Sequence, residues 1–172
     1  MKIRGLIETD HVNYKKLSMT IIFPFCDFKC DKECGQPVCQ NSPLINEPII
    51  DIGYDKIVDR YINNPLTEAV VFQGLEPFDS IEDVYELVKA FRDKTNDDIV
   101  IYTGYTEQER ELYVDNLKQY KNIIIKFGRY IPGQQVHKDE ILGINLASNN
   151  QYAVKISWII YNIYVINTSE LI

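Results

Sequence analysis

Short runs of β-branched and aromatic residues alternate with longer stretches of helical period. Met19-Thr-Ile-Ile-Phe23 reads as a strand ended by Pro24, after which a long loop begins. Asp55 to Ile62 spaces its apolar residues as a helix does, and Ala69-Val-Val-Phe72 is a compact apolar strand running into Gln-Gly-Leu-Glu-Pro. Ser80 stands where an N-cap belongs, with Asp83 three residues on and Ile81, Val84, Leu87, Val88 and Phe91 as the buried stripe of a helix. Ile99-Val-Ile-Tyr102 gives the next strand, Thr106 caps a helix to about Leu117, and Asn122-Ile-Ile-Ile-Lys126 forms a further strand.

Strand, helix, strand, helix, strand predicts right-handed βαβ units, and so an α/β fold with a mostly parallel sheet. Ligands of such sheets sit at the C-terminal ends of the strands. The cysteine-bearing loop, Gly74-Leu-Glu-Pro77 and Thr103-Gly104 all fall at such ends. Far apart in sequence, they are expected to share one face.

Composition narrows the partners. A chain of 172 residues, 45% hydrophobic and without a linker or low-complexity tract, is expected to be a single domain over 1–172, with a cluster loop at 24–47 and a C-terminal extension at 153–172. The net charge of -7 and pI near 4.9 argue against nucleic acid or an anionic membrane as partner, since both would be repelled. The first residues carry no apolar signal core, and no apolar run nears the roughly 20 residues of a membrane span, so the expected location is the cytoplasm. His11 and His137 lack ligand spacing and read as surface residues; Asp97-Asp98 and Asp139-Glu140 read as solvated loop charges.

All four cysteines lie in one short segment, Cys26-x3-Cys30-x3-Cys34-x4-Cys39. They are too close together to staple a chain of this size, and four soft donors in a loop suit zinc or an iron–sulfur cluster. A structural zinc site usually shows C-x2-C knuckles, which are absent. A cluster that does chemistry needs an iron with an open position and therefore three cysteines, whereas a plain electron-transfer cluster uses four.

A strand followed by Cys-x3-Cys, and then by an apolar residue, a cysteine, any residue and asparagine, resembles the radical S-adenosylmethionine superfamily. The matching residues are Cys26, Cys30, Val38, Cys39 and Asn41. The family spacing is Cys-x3-Cys-x2-Cys. Cys34 stands one residue late for it, while Cys39 has the right context, Pro37-Val-Cys-Gln-Asn41, after a six-residue insertion. Cys26, Cys30 and Cys39 are the preferred ligands, with Cys34 as the alternative third ligand or a spare thiol.

Further motifs extend the resemblance over roughly residues 15 to 152. Gly74-Leu-Glu-Pro77 is similar to the superfamily's Gly-Gly-Glu-Pro, whose glutamate and backbone hold the methionyl ammonium of the cofactor. Tyr102-Thr-Gly-Tyr-Thr106 is identical to a segment of the activating proteins of anaerobic ribonucleotide reductase. Gly128-Arg-Tyr130 resembles that group's Asp-Gly-Arg-Phe, with Phe127 in place of the aspartate, and Leu146-Ala-Ser-Asn-Asn-Gln151 resembles its Gly-Ser-Ser-Asn-Gln.

The resemblance implies a short incomplete (βα) barrel holding a 4Fe-4S cluster and S-adenosylmethionine. Val38, Asn41, Gly74, Glu76, Pro77, Thr103 and Gly104 would bind the cofactor, with no catalytic side chain beyond the cluster ligands. It implies reductive cleavage to a 5′-deoxyadenosyl radical, a glycyl-radical enzyme as protein substrate, and flavodoxin or ferredoxin as electron donor. The apolar tail Ile156 to Ile166 is expected to be an additional strand or a buried partner surface. Two other readings stay open: a radical enzyme acting on another peptide or small molecule, and a non-enzymatic zinc or electron-transfer module.

Overall fold

A computed structural model describes residues 1–156. In chain order the elements are β1 (Lys2–Ile3), β2 (Gly5–Asp10), β3 (Ser18–Phe23), α1 (Lys29–Cys34), β4 (Ile50–Asp51), α2 (Tyr54–Ile62), β5 (Ala69–Gly74), α3 (Ile81–Arg92), β6 (Asp98–Tyr102), α4 (Glu111–Leu117), β7 (Ile123–Phe127), β8 (His137–Asp139), β9 (Ile144–Leu146) and β10 (Tyr152–Ile156). Six strands form one open sheet in the order β10-β7-β6-β5-β3-β2. Its four inner strands are parallel, and β2 and β10 close its edges antiparallel. The α/β reading with a mostly parallel sheet therefore holds.

Alternation within the strands divides the core in two, because successive side chains leave a strand on opposite faces. Val70, Phe72, Ile99, Ile101, Ile123 and Ile125 face α2, α3 and α4, whose buried residues include Ile57, Tyr61, Leu87, Phe91, Val114 and Leu117. Val71, Val100 and Ile124 face the other way, under Tyr14, Leu142 and Leu146. The inner strands are buried on both sides, which is why they read as unbroken β-branched runs.

Several expectations need correction. The cysteine segment is not a plain loop: Lys29–Cys34 winds into a short helix, and Ser42–Asn46 into a 3-10 turn. Ser80 precedes α3, but its buried hydroxyl has no hydrogen-bond partner and caps nothing. Thr106 does cap, exchanging bonds with Glu109 (Thr106 N–H to the carboxylate at 2.8 Å, Glu109 N–H to Oγ1 at 3.2 Å), although the turn it starts is 3-10 and α4 begins only at Glu111.

Of the acidic pairs only Glu140 is a solvated charge. Asp98 is buried and accepts from the Tyr14 hydroxyl at 3.0 Å and Lys16 at 2.6 Å, and Asp97 accepts from Tyr61 at 2.7 Å. Asp139 is also buried, accepting from the amides of Leu142 and Ala153 at 2.8 and 2.9 Å; only Glu140 of the four is exposed outright. His137 is half-buried in β8, with Nδ1 enclosed and unpartnered. Residues 153–156 of the expected extension belong to β10, and the rest of the apolar tail lies outside the described residues. Among the described residues no helix is long and apolar enough to cross a membrane.

Candidate functional site

The C-terminal ends of β3, β5, β6 and β7 open into one cavity of about 410 Å³. Backbone bonds stitch these ends together: the Glu76 N–H donates to the Phe25 carbonyl at 2.8 Å, Thr103 N–H to Lys126 at 2.8 Å, and Gly128 N–H to Tyr105 at 3.0 Å. Gly74 makes the turn out of β5 with φ of 105°, and a Cβ there would lie 2.4 Å from Ile22 Cγ2. Only glycine suits both demands.

Cys26, Cys30 and Cys39 all line this cavity. Cys26 follows β3 directly, Cys30 sits in the first turn of α1, and Cys39 returns after the inserted residues. Asp31 brings it back: its Oδ1 accepts from the amides of Val38 and Cys39, each at 2.8 Å. Cys34, at the far end of α1, lines a neighbouring cavity of about 390 Å³ with Cys30, Arg129 and Tyr130. Burial pushes the Cys26 thiol up to about 12, and an amide bond from Phe28 to its sulfur at 3.2 Å opposes that rise. Cys30 is raised by burial and by the neighbouring Cys39 sulfur. Thiols so placed favour ligation to a cation, which removes the proton that burial holds on.

Glu76 is 5% exposed and joins two strand ends. Its Oε2 accepts from the Gly104 N–H at 2.8 Å and its Oε1 from the Phe78 N–H at 3.0 Å. Burial raises its carboxyl to about 7 against these bonds. Gly104 leaves room beside it, since a Cβ there would stand 3.5 Å from Glu76 Oε2 and 3.8 Å from Cys30 Sγ.

Of the residues expected at the site, Cys26, Cys30, Cys39, Asn41, Glu76, Thr103 and Gly104 line the cavity together. Val38, Gly74 and Pro77 do not line it. Val38 fixes the cysteine segment through Asp31, Gly74 gives its carbonyl to the Asn41 amide at 3.0 Å, and Pro77 opens the turn Pro77–Ser80. Sequence reasoning missed Asn13, Gln73 and Lys126 as lining residues and Asp31 as the organiser. No sequence signal marks Lys126, since a lysine after three isoleucines reads as an exposed strand end.

Three soft donors on one cavity, one of them hydrogen-bonded by an amide, form a donor set that suits an iron–sulfur cluster. The family model of the 4Fe-4S single cluster domain matches residues 17–152. The chain belongs to this family. No curated protein and no solved structure matches it. The match spans the sheet from just before β3 into the first residue of β10, so this 4Fe-4S single cluster domain includes all four cysteines and the cavity wall apart from Val12 and Asn13.

A salt-bridge cluster ties the cysteine helix of the domain to the sheet. Glu109 accepts from Lys29 of α1 at 2.7 Å and from both terminal nitrogens of Arg129 at 3.0 and 2.8 Å, while Arg129 Nε lies 3.5 Å from Glu33. The hydrogen bonds from Arg129 and Lys29 hold the Glu109 carboxyl well below the usual carboxylate range.

Proposed function

We propose that this chain is a radical S-adenosylmethionine enzyme of the glycyl-radical activating type, its cluster held by Cys26, Cys30 and Cys39. The observation that carries this reading is that those three thiols line one cavity with Glu76 and Gly104 while Cys34 lines the next. When bound, a 4Fe-4S cluster with one iron free of cysteine supplies the electron that splits the sulfonium of S-adenosylmethionine into methionine and a 5′-deoxyadenosyl radical.

The residues of the chain bind and orient. Glu76 accepts one backbone N–H on each oxygen and a further bond from the Thr103 hydroxyl, which leaves acceptor capacity on the carboxylate for the methionyl ammonium. Asn41, tethered to Gly74, and the Thr103-Gly104 turn form the walls beside it. Helices α2, α3 and α4 pack on one face of the sheet and only the short α1 borders the cavity, which leaves room for a substrate enclosed by a second protein. A glycyl-radical enzyme presenting a backbone glycine fits that need, with flavodoxin or ferredoxin as the electron donor.

The test is incubation of the anaerobically reconstituted, reduced protein with S-adenosylmethionine. Formation of 5′-deoxyadenosine and methionine is expected; formation of neither overturns the reading. One feature favours a different substrate: Phe127, fully buried and packed on Tyr152, occupies the aspartate position of the reductase-activating group. A glycyl radical signal on mixing with an anaerobic ribonucleotide reductase decides between that enzyme and another peptide or small molecule.

A further inference from the structure

Six carboxamides line the cavity, and they differ in what they hold. Asn13 donates to Asp10 at 2.6 Å and Asn41 to the Gly74 carbonyl at 3.0 Å, while Gln151 accepts from the amides of Ala147 and Ser148 and donates to the Gly128 carbonyl. Gln40 and Asn145 are exposed. Gln73 is half-buried near the end of β5, two residues beyond Val71, so its side chain leaves the strand on the face that carries Tyr14 and Leu146, toward the cavity. Among the described residues its amide has no hydrogen-bond partner. A half-buried carboxamide with donors and acceptor both idle is costly unless a ligand of matching polarity meets it.

The charges of the cavity narrow that ligand. Arg129 is held by Glu109 and Glu33. Lys126 donates to the Gly128 carbonyl at 2.7 Å, lies 6.0 Å from the centre of the Tyr102 ring and interacts with the charges of Glu76 and Cys30. Among the described residues no cation on the cavity wall is left without a partner to meet a phosphate group. What stands idle at Gln73 is neutral and offers a donor and an acceptor in one plane, the complement of a peptide bond.

We propose that Gln73 is the substrate-reading residue of this cavity, its carboxamide donating to a main-chain carbonyl and accepting from a main-chain N–H of a peptide segment. The inference rests on the S-adenosylmethionine reading and gives its substrate a chemical class, an uncharged peptide main chain rather than a phosphorylated small molecule. It explains why a polar side chain follows Ala69 and Val71 on a strand face that is otherwise apolar: those two serve the core, and Gln73 serves the ligand.

The experiment uses a blocked, glycine-centred heptapeptide and the same peptide N-methylated at the glycine and its neighbours, which removes the N–H donors. Equilibrium binding of each is measured with S-adenosylmethionine present, on anaerobically reconstituted wild type, Gln73→Met and Gln73→Leu, all checked for iron content. Wild type is expected to prefer the unmethylated peptide by about 10-fold, and both variants to lose that preference while binding S-adenosylmethionine within about threefold of wild type. Gln73 holds nothing in the fold, so neither variant is expected to lower the melting temperature; if one does, the other carries the comparison, and a fall in both gives Gln73 a structural role and overturns the inference. Absence of the preference in wild type, or its survival in the variants, overturns it too. A parallel loss of S-adenosylmethionine affinity also overturns it, because Gln73 would then serve the cofactor. In each of these cases cleavage of S-adenosylmethionine by wild type leaves the enzyme reading standing; no cleavage removes that reading and this inference together.

Discussion

Glu76 makes the stability of the chain depend on pH in an unusual direction. Below pH 4.5 its carboxyl is neutral in the folded and unfolded chain alike; from there to about 7 the unfolded chain ionises first. The folded state holds the extra proton in that window, so stability falls as pH rises, by on the order of 3 kcal/mol in all, and is flat above it. Melting of the cluster-free protein from pH 5 to 8 is expected to show this decline, and Glu76→Gln is expected to remove it. The cysteines divide in a comparable way. Cys39→Ala is expected to lose the cluster and Cys34→Ala to keep it, read as iron and sulfide content after reconstitution; the reverse result would make Cys34 the third ligand. That division was only half legible in the sequence, where both cysteines break the family spacing. Lys126 was hidden for another reason. A lysine after three isoleucines looks like the exposed end of a strand, and only the fold over the sheet face carrying Ile124 encloses it.

The elements recovered from the sequence are those whose own residues settle their state. β3, β5, β6 and β7 are apolar runs buried on both faces, and α3 shows its stripe in full. β2, β10 and the β8–β9 hairpin are short or mixed in polarity, and their pairing partners are what make them strands. Asp98 misleads similarly: it stands beside Asp97 in a polar stretch, yet its partners Tyr14 and Lys16 lie more than 80 residues away. α1 has no buried residue and no apolar period to announce it. Its return to the cavity depends on Asp31, whose carboxylate holds the amides of Val38 and Cys39. Asp31→Ala is expected to cost about 1 kcal/mol in placing Cys39, so a chelator should strip iron roughly fivefold faster, with Asp31→Asn in between. Unchanged iron release in Asp31→Ala would assign the carboxylate no part in holding the cluster.

Among the described residues the sheet ends at β10, which pairs antiparallel with β7 along its length and buries Ala153 and Ile156. A chain ending at Gln151 exposes the hydrogen-bonding edge of β7, a strand buried at every residue and apolar but for Lys126, the arrangement that templates pairing between molecules. It is expected to elute as high-mass species in size-exclusion chromatography; a monomeric, two-state folder would show that β10 is dispensable. The opposite is true of the cysteine helix. Since α1 buries nothing, its side chains reach the body through charges, Lys29 with Glu109 and Glu33 with Arg129. Such contacts weaken with ionic strength, whereas the apolar core does not. The ion pairs of α1 are therefore expected to loosen with added salt before the sheet does. Cluster assembly is then expected to be limited by how readily this clasp loosens, and moderate salt to speed loading without lowering the melting temperature, as followed by the growth of cluster absorbance.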